Sequence, residues 1–112
     1  MLTTSRQPGA EVLWQRVIAI REKQQGPDHD DLAGDLLRLA KLRTALKKYK
    51  PAEATYWRAL LMLERMHGRE SAQLPVALES LADILAETRR FHEAEYHLRR
   101  SIMIREAYGG PP

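Results

Sequence analysis

Cysteine is absent from the 112 residues, which removes a disulfide framework, a thiolate metal site and a cysteine nucleophile together. The opening stretch MLTTSRQPGA holds no apolar segment that could form a signal-peptide core. The longest apolar run is Ala59–Leu63, far short of the roughly 20 residues that cross a bilayer. These absences predict a cytoplasmic protein with no membrane partner. A dominant charge is missing too. The net charge is +3, with ten Lys/Arg against six Asp/Glu in residues 1–50 and eight against nine in 51–112. No glycine-rich phosphate loop, no Ser/His/Asp signature and no paired-carboxylate motif is present, and no segment alternates as a half-buried strand would. The sequence therefore predicts no catalysis and no cofactor.

What the chain does have is repetition. Residues 10–26 (AEVLWQRVIAIREKQQG), 52–68 (AEATYWRALLMLERMHG) and 94–110 (AEYHLRRSIMIREAYGG) align without gaps at a spacing of 42. Ala10, Ala52 and Ala94 coincide, as do Glu11, Glu53 and Glu95, Arg16, Arg58 and Arg100, and Glu22, Glu64 and Glu106. The intervening segments match at the same spacing, Leu36, Leu39, Ala40 and Leu42 falling on Leu78, Leu81, Ala82 and Ile84. A fixed period of this size marks a repeat architecture.

Apolar residues at i, i+3 and i+4, as in Leu36, Leu39 and Ala40, predict helices throughout. Five are expected, at about 10–25, 30–46, 51–67, 73–88 and 92–108, antiparallel and without strands. Pro51 and Pro75 suit first turns, and Gly26, Gly68 and Gly109–Gly110 suit helix ends. The organisation expected is one domain over 10–109: a half repeat (10–28), a repeat (29–70) and a repeat (71–110), between flexible ends at 1–9 and 110–112. Small residues such as Ala40, Ala59 and Ala82 let helix axes approach, and a hairpin so built must stack on its neighbours to bury its apolar face.

The run LLRLAKLRTALKKYKPAEATYWRAL (36–60), echoed by LESLADILAETRRFHEAEYHLRRSI (78–102), resembles the tetratricopeptide repeat. The 42-residue period, the Ile20–Glu22 and Ile104–Glu106 stretches and the Gly26–His29 loop make it similar to kinesin light chains in particular. The resemblance implies an all-α, right-handed superhelical solenoid whose first helices line a concave, peptide-binding surface. Carried over residue by residue, Gly34, Leu37, Arg38, Lys41 and Thr44 of one repeat face that groove. Val76, Glu79, Asp83 and Ala86 of the next do so too, with Ser80 nearby. Where kinesin light chains commonly carry paired asparagines, this chain has Leu37–Arg38 and Glu79–Ser80. The lysine-and-asparagine clamp for a terminal carboxylate is also missing, and Glu79 and Asp83 would repel such a group.

Other strings invite chemistry less well. In HEAEYH (92–97) the two histidines are five apart, about 140° round a helix, so they diverge and read as a solvated helix start rather than a metal site. The stretch KLRTALKKYK (41–50) holds five basic residues but ends a helix, where cations complement the dipole. An acidic partner or nucleic acid at 38–50 is the lesser reading. The recurring arginines and glutamates read as hairpin-stabilising or surface charges. Trp57 and Tyr96 lie off the apolar positions, which predicts an exposed convex contact.

The chain starts and ends on second-type helices, and neither resembles a polar cap. Val12, Leu13 and Ile20 crowd the first, and Ile102, Met103 and Tyr108 the last. The sequence thus predicts a non-catalytic protein–protein interaction scaffold that forms homo-oligomers. A peptide-binding sensor segment of a larger signalling protein is the alternative.

Overall fold

Helix follows helix: α1 (Leu2–Gln25), α2 (Asp30–Ala45), α3 (Tyr49–His67), α4 (Pro75–Glu87) and α5 (Phe91–Ala107), with no strand among the described residues. The computed structural model describes the backbone of residues 2–109 and the side chains of 9–109. Pairing is most extensive between α2 and α3 and between α4 and α5, the two hairpins, while α1 lies on α2 and α3 on α4. The stack measures 46 × 35 × 21 Å.

Alanines make the crossings. Ala33, Ala40, Ala52, Ala59, Ala77, Ala82 and Ala94 are all buried, and Leu36, Leu60, Leu78, Leu81 and Ile84 fill the space beside them. Small residues at the crossings allow close axes, and the aliphatic side chains interlock beside them. Each buried leucine contributes about 1.5–3 kcal/mol relative to exposure.

The two hairpin turns are built alike. Leu46 and Thr88 end their helices, and the next residue, Lys47 or Arg89, takes a left-handed conformation (φ 62° and 68°). The Lys47 and Lys48 amides then donate to Thr44 and Arg43 (both 2.9 Å), and those of Arg89 and Arg90 to Ala86 and Leu85 (3.0 and 2.7 Å). This is the two-bond helix stop usually given to glycine. Between repeats the turn does use glycine, Gly26 at φ 88° and Gly68 at φ 93°. His29 opens α2 by accepting the Asp31 amide at its Nδ1 (3.0 Å).

Three helix starts differ from expectation, that of α4 falling at Pro75 rather than 73. The helix α1 begins at Leu2, not near residue 10, so residues 2–9 are helical where a flexible N-terminus was expected. Leu2–Gln7 contains no helix breaker, while Pro8 lacks an amide donor and crowds the carbonyl one turn back, a cost this stretch of helix carries. In α3 the helix starts at Tyr49, which makes Pro51 its third residue. The first-turn amides have no intrahelical acceptor, so proline is tolerated there as well. Met1 and the expected flexible end at 110–112 lie outside the described residues.

Candidate protein-interaction surfaces

The first helices of the two hairpins border a groove of about 590 Å³. Leu37, Arg38, Lys41 and Thr44 line it from α2, Val76, Ser80 and Asp83 from α4, and Tyr49 and Tyr56 of α3 close it below. Glu87, one turn beyond Asp83, joins the acidic wall. The groove is therefore basic on the α2 side and acidic on the α4 side, with an aromatic floor. Glu87 follows Asp83 at helical spacing and was open to sequence reasoning. The tyrosines, which come from the second helix, were not expected here.

Three expected groove residues lie elsewhere. Gly34 is covered by its neighbour: a Cβ placed on it would meet the Arg38 guanidinium at 3.4 Å. Ala86 is exposed but outside the groove. Glu79 points away, toward α5, where its carboxylate accepts from Arg105 Nε and Nη2 (2.6 and 3.0 Å) and from Ser101 Oγ (2.5 Å). The Arg105 hydrogen bonds, with that of Ser101, hold its carboxyl below the usual range. A partner carried by α5, far along the chain, decides where Glu79 goes.

The recurring charges do not brace single hairpins. They link consecutive second helices. Arg58 of α3 pairs with Glu22 of α1, and 42 residues on Arg100 of α5 pairs with Glu64 of α3 at 2.6 Å. A second rung repeats the same way. Lys48 meets Glu11 at 2.8 Å, and Arg90 meets Glu53 at 2.7 Å. Arg43 also reaches Glu11 (2.7 Å), so two of the cations in 38–50 already have a carboxylate of this chain. Hydrogen bonds from Lys48 and then Arg43 keep the Glu11 carboxyl low.

Four polar side chains are buried among the described residues, Asp35, Thr55, His97 and Ser101. Asp35, 2 % exposed, stands where the next repeat has Ala77, and Arg21 of α1 closes on it. His97 of α5 is buried too, edge-on to the rings of Trp57 (5.2 Å) and Tyr96 (5.3 Å). It is thus no part of a solvated helix start, although His92 is exposed. Trp57, expected exposed, is half-buried because His97 comes up beside it from α5. Tyr96 is exposed as expected. No group of His, Asp and Glu among the described residues is placed to hold a metal ion, and no described helix is long and apolar enough to cross a membrane.

The last surface is the open side of α5. Tyr56 and Leu60 of α3 are buried under α4, whereas their counterparts 42 residues on, Leu98 and Ile102, are 41 % and 52 % exposed. Met103 and Tyr108 add to the exposed apolar area at 69 % and 63 %.

A leading second helix followed by two hairpins, stacked at one spacing around an alanine–leucine interior, is an all-α helical-repeat solenoid of the tetratricopeptide fold. Among solved structures the chain matches that of BtubC (BKLC) from P. vanneervenii, with a TM-score of 0.83 over 91 % of this chain at 22 % identity. It spans 40 % of the length of BtubC. No protein-family model and no curated protein matches the chain. The likeness is one of fold, and a fold alone does not fix a function.

Proposed function

We propose that this chain is a non-catalytic interaction scaffold of the cytoplasm that associates with copies of itself. The observation that carries this reading is the exposed face of α5, where Leu98, Ile102 and Tyr108 repeat positions that α3 keeps under a neighbouring helix. Exposed apolar patches of this kind mark association surfaces. The test is light scattering behind size-exclusion chromatography over a hundredfold range of concentration. Mass that rises with concentration, and falls back to a monomer in Ile102→Asp, supports it. A monomer at every concentration overturns it.

A second reading rests on the groove. Arg38 and Lys41 face Asp83 and Glu87 across an apolar and aromatic floor, which suits an extended peptide with acidic side chains on one edge and basic ones on the other. Such a site would make the chain a peptide-sensing segment of a larger protein. Calorimetric titration with a peptide library of alternating charge tests it, with Lys41→Glu expected to abolish binding. Nucleic acid is disfavoured, because Arg43 and Lys48 of the basic stretch are engaged by Glu11.

A further inference from the structure

The α5 helix carries the docking face of α1. At twice the 42-residue period, Glu11, Arg21 and Glu22 recur as Glu95, Arg105 and Glu106, and Ile18 recurs as Ile102. On α1 this set is occupied by the α2–α3 hairpin. Glu11 takes Arg43 and Lys48, Arg21 takes Asp35, Glu22 takes Arg58, and Ile18 is buried beside Leu36 and Leu39. On α5 the same set lies open among the described residues. Arg105 turns back to Glu79, Glu95 turns to Arg99, and Ile102 is half exposed.

We propose that α5 receives the α2–α3 hairpin of a second copy of this chain, which releases its own α1 in exchange. The proposal rests on the self-association reading above and names its surface. Charge selects the hairpin. Asp35 on α2 supplies the carboxylate that Arg105 would meet, whereas α4 has Ala77 at that position. Lys48 and Arg58 likewise match Glu95 and Glu106. Release of α1 is feasible because it is joined to α2 through Gly26, held at a positive φ, and lies on α2 without a hairpin partner of its own among the described residues. Each copy has one open α5 and one α2–α3, so joining is head to tail and does not close at two. One docking face is exchanged for a like one, so the wild type joins weakly.

Arg21 and Arg105 separate the two faces experimentally. In Arg21→Ala the Asp35 carboxylate loses its partner on α1 but keeps one on the α5 of a neighbour. The full-length variant is expected to associate at a concentration about tenfold lower than the wild type, with mass growing past the dimer. Adding Arg105→Ala should return it to a monomer, and circular dichroism checks that each variant stays helical. Hydrogen exchange on the associated Arg21→Ala protein is expected to show α5 protected and α1 deprotected. Association that ignores Arg105→Ala, stops at a dimer or leaves α1 protected overturns the exchange while the self-association reading stands. A monomer in every variant at every concentration overturns both.

Discussion

Arg21 and Asp35 form an ion pair at the α1–α2 interface in the two positions that Leu63 and Ala77 occupy at the α3–α4 interface. One repeat junction is charged where the next is greasy. The Asp35 side chain is almost wholly buried and its other cation, Arg38, stands 3.5 Å away, so Arg21 is its principal partner. Removing one member of such a pair strands the other in a medium of low polarity. Arg21→Ala is expected to cost about 3 kcal/mol in urea unfolding. The double change Arg21→Leu with Asp35→Ala, which copies the second junction, should recover that loss in full. A double variant no more stable than Arg21→Ala would mean that the pair is not the source of the loss.

The left-handed residues at the hairpin turns lead to a gain of stability. Lys47 sits at φ 62°. An L-residue pays about 1–2 kcal/mol for that conformation and glycine pays almost nothing, although glycine gives back part of the gain as unfolded-chain entropy. Lys47→Gly should therefore raise stability by about 0.5–1 kcal/mol, and Lys47→Val should lower it. Thermal unfolding followed at 222 nm distinguishes the two signs.

Acid should unfold the chain in two stages. Burial first, and then the field of Arg100, holds His97 below its ordinary value, with Glu93 and Glu64 opposing. The unfolded chain takes up the proton near pH 6.5 and the folded chain resists it, so stability is full above that pH and declines beneath it. Glu11 and Glu79 have lowered values, so their contribution is full above about pH 4.3 and is lost as pH falls through the folded values. His97→Leu is expected to flatten the melting temperature between pH 7 and 5 and to leave the lower decline in place. An unchanged slope between pH 7 and 5 would show that His97 is not the group responsible.

The same Glu–Arg rung exists in two settings and should not be worth the same in both. Arg58 and Glu22 are 45 % and 38 % exposed at the side chain, against 14 % and 10 % for Arg100 and Glu64. Solvent screens the first pair, and its double-mutant-cycle coupling should stay below about 1 kcal/mol. Arg100→Ala leaves Glu64 nearly enclosed, with only Arg69 at 3.6 Å, and should cost about 2 kcal/mol or more. Raising salt to 1 M should erase the first coupling and spare most of the second.

The helices and their stacking were legible because they depend on spacing, which a 42-residue period repeats three times. Ala40, Ala59 and Ala82 announced the crossings for the same reason. Direction was harder to read. Glu79 occupies a groove-facing register, yet its carboxylate leaves the groove for Arg105, 26 residues later. Only packing brings those two together. His97 and Asp35 were open to detection as departures from the repeat, standing where Thr55 and Ala77 stand elsewhere, but a departure alone does not distinguish a buried polar group from a surface one. Trp57 looked exposed because its own helix leaves it off the apolar stripe, and His97 covers it from the next repeat.

The Glu–Arg and Glu–cation rungs have one sense throughout: the carboxylate always belongs to the earlier second helix and the cation to the later repeat. A unit of this kind offers its acid forward and its base backward. Tandem duplication of a 42-residue stretch in the gene would consequently create a junction whose two Glu–cation rungs are already matched, leaving the Arg21–Asp35 position as the place where one joint differs from another. Length is a property such a lineage can alter in whole steps, while the pair of rungs at each joint stays the same.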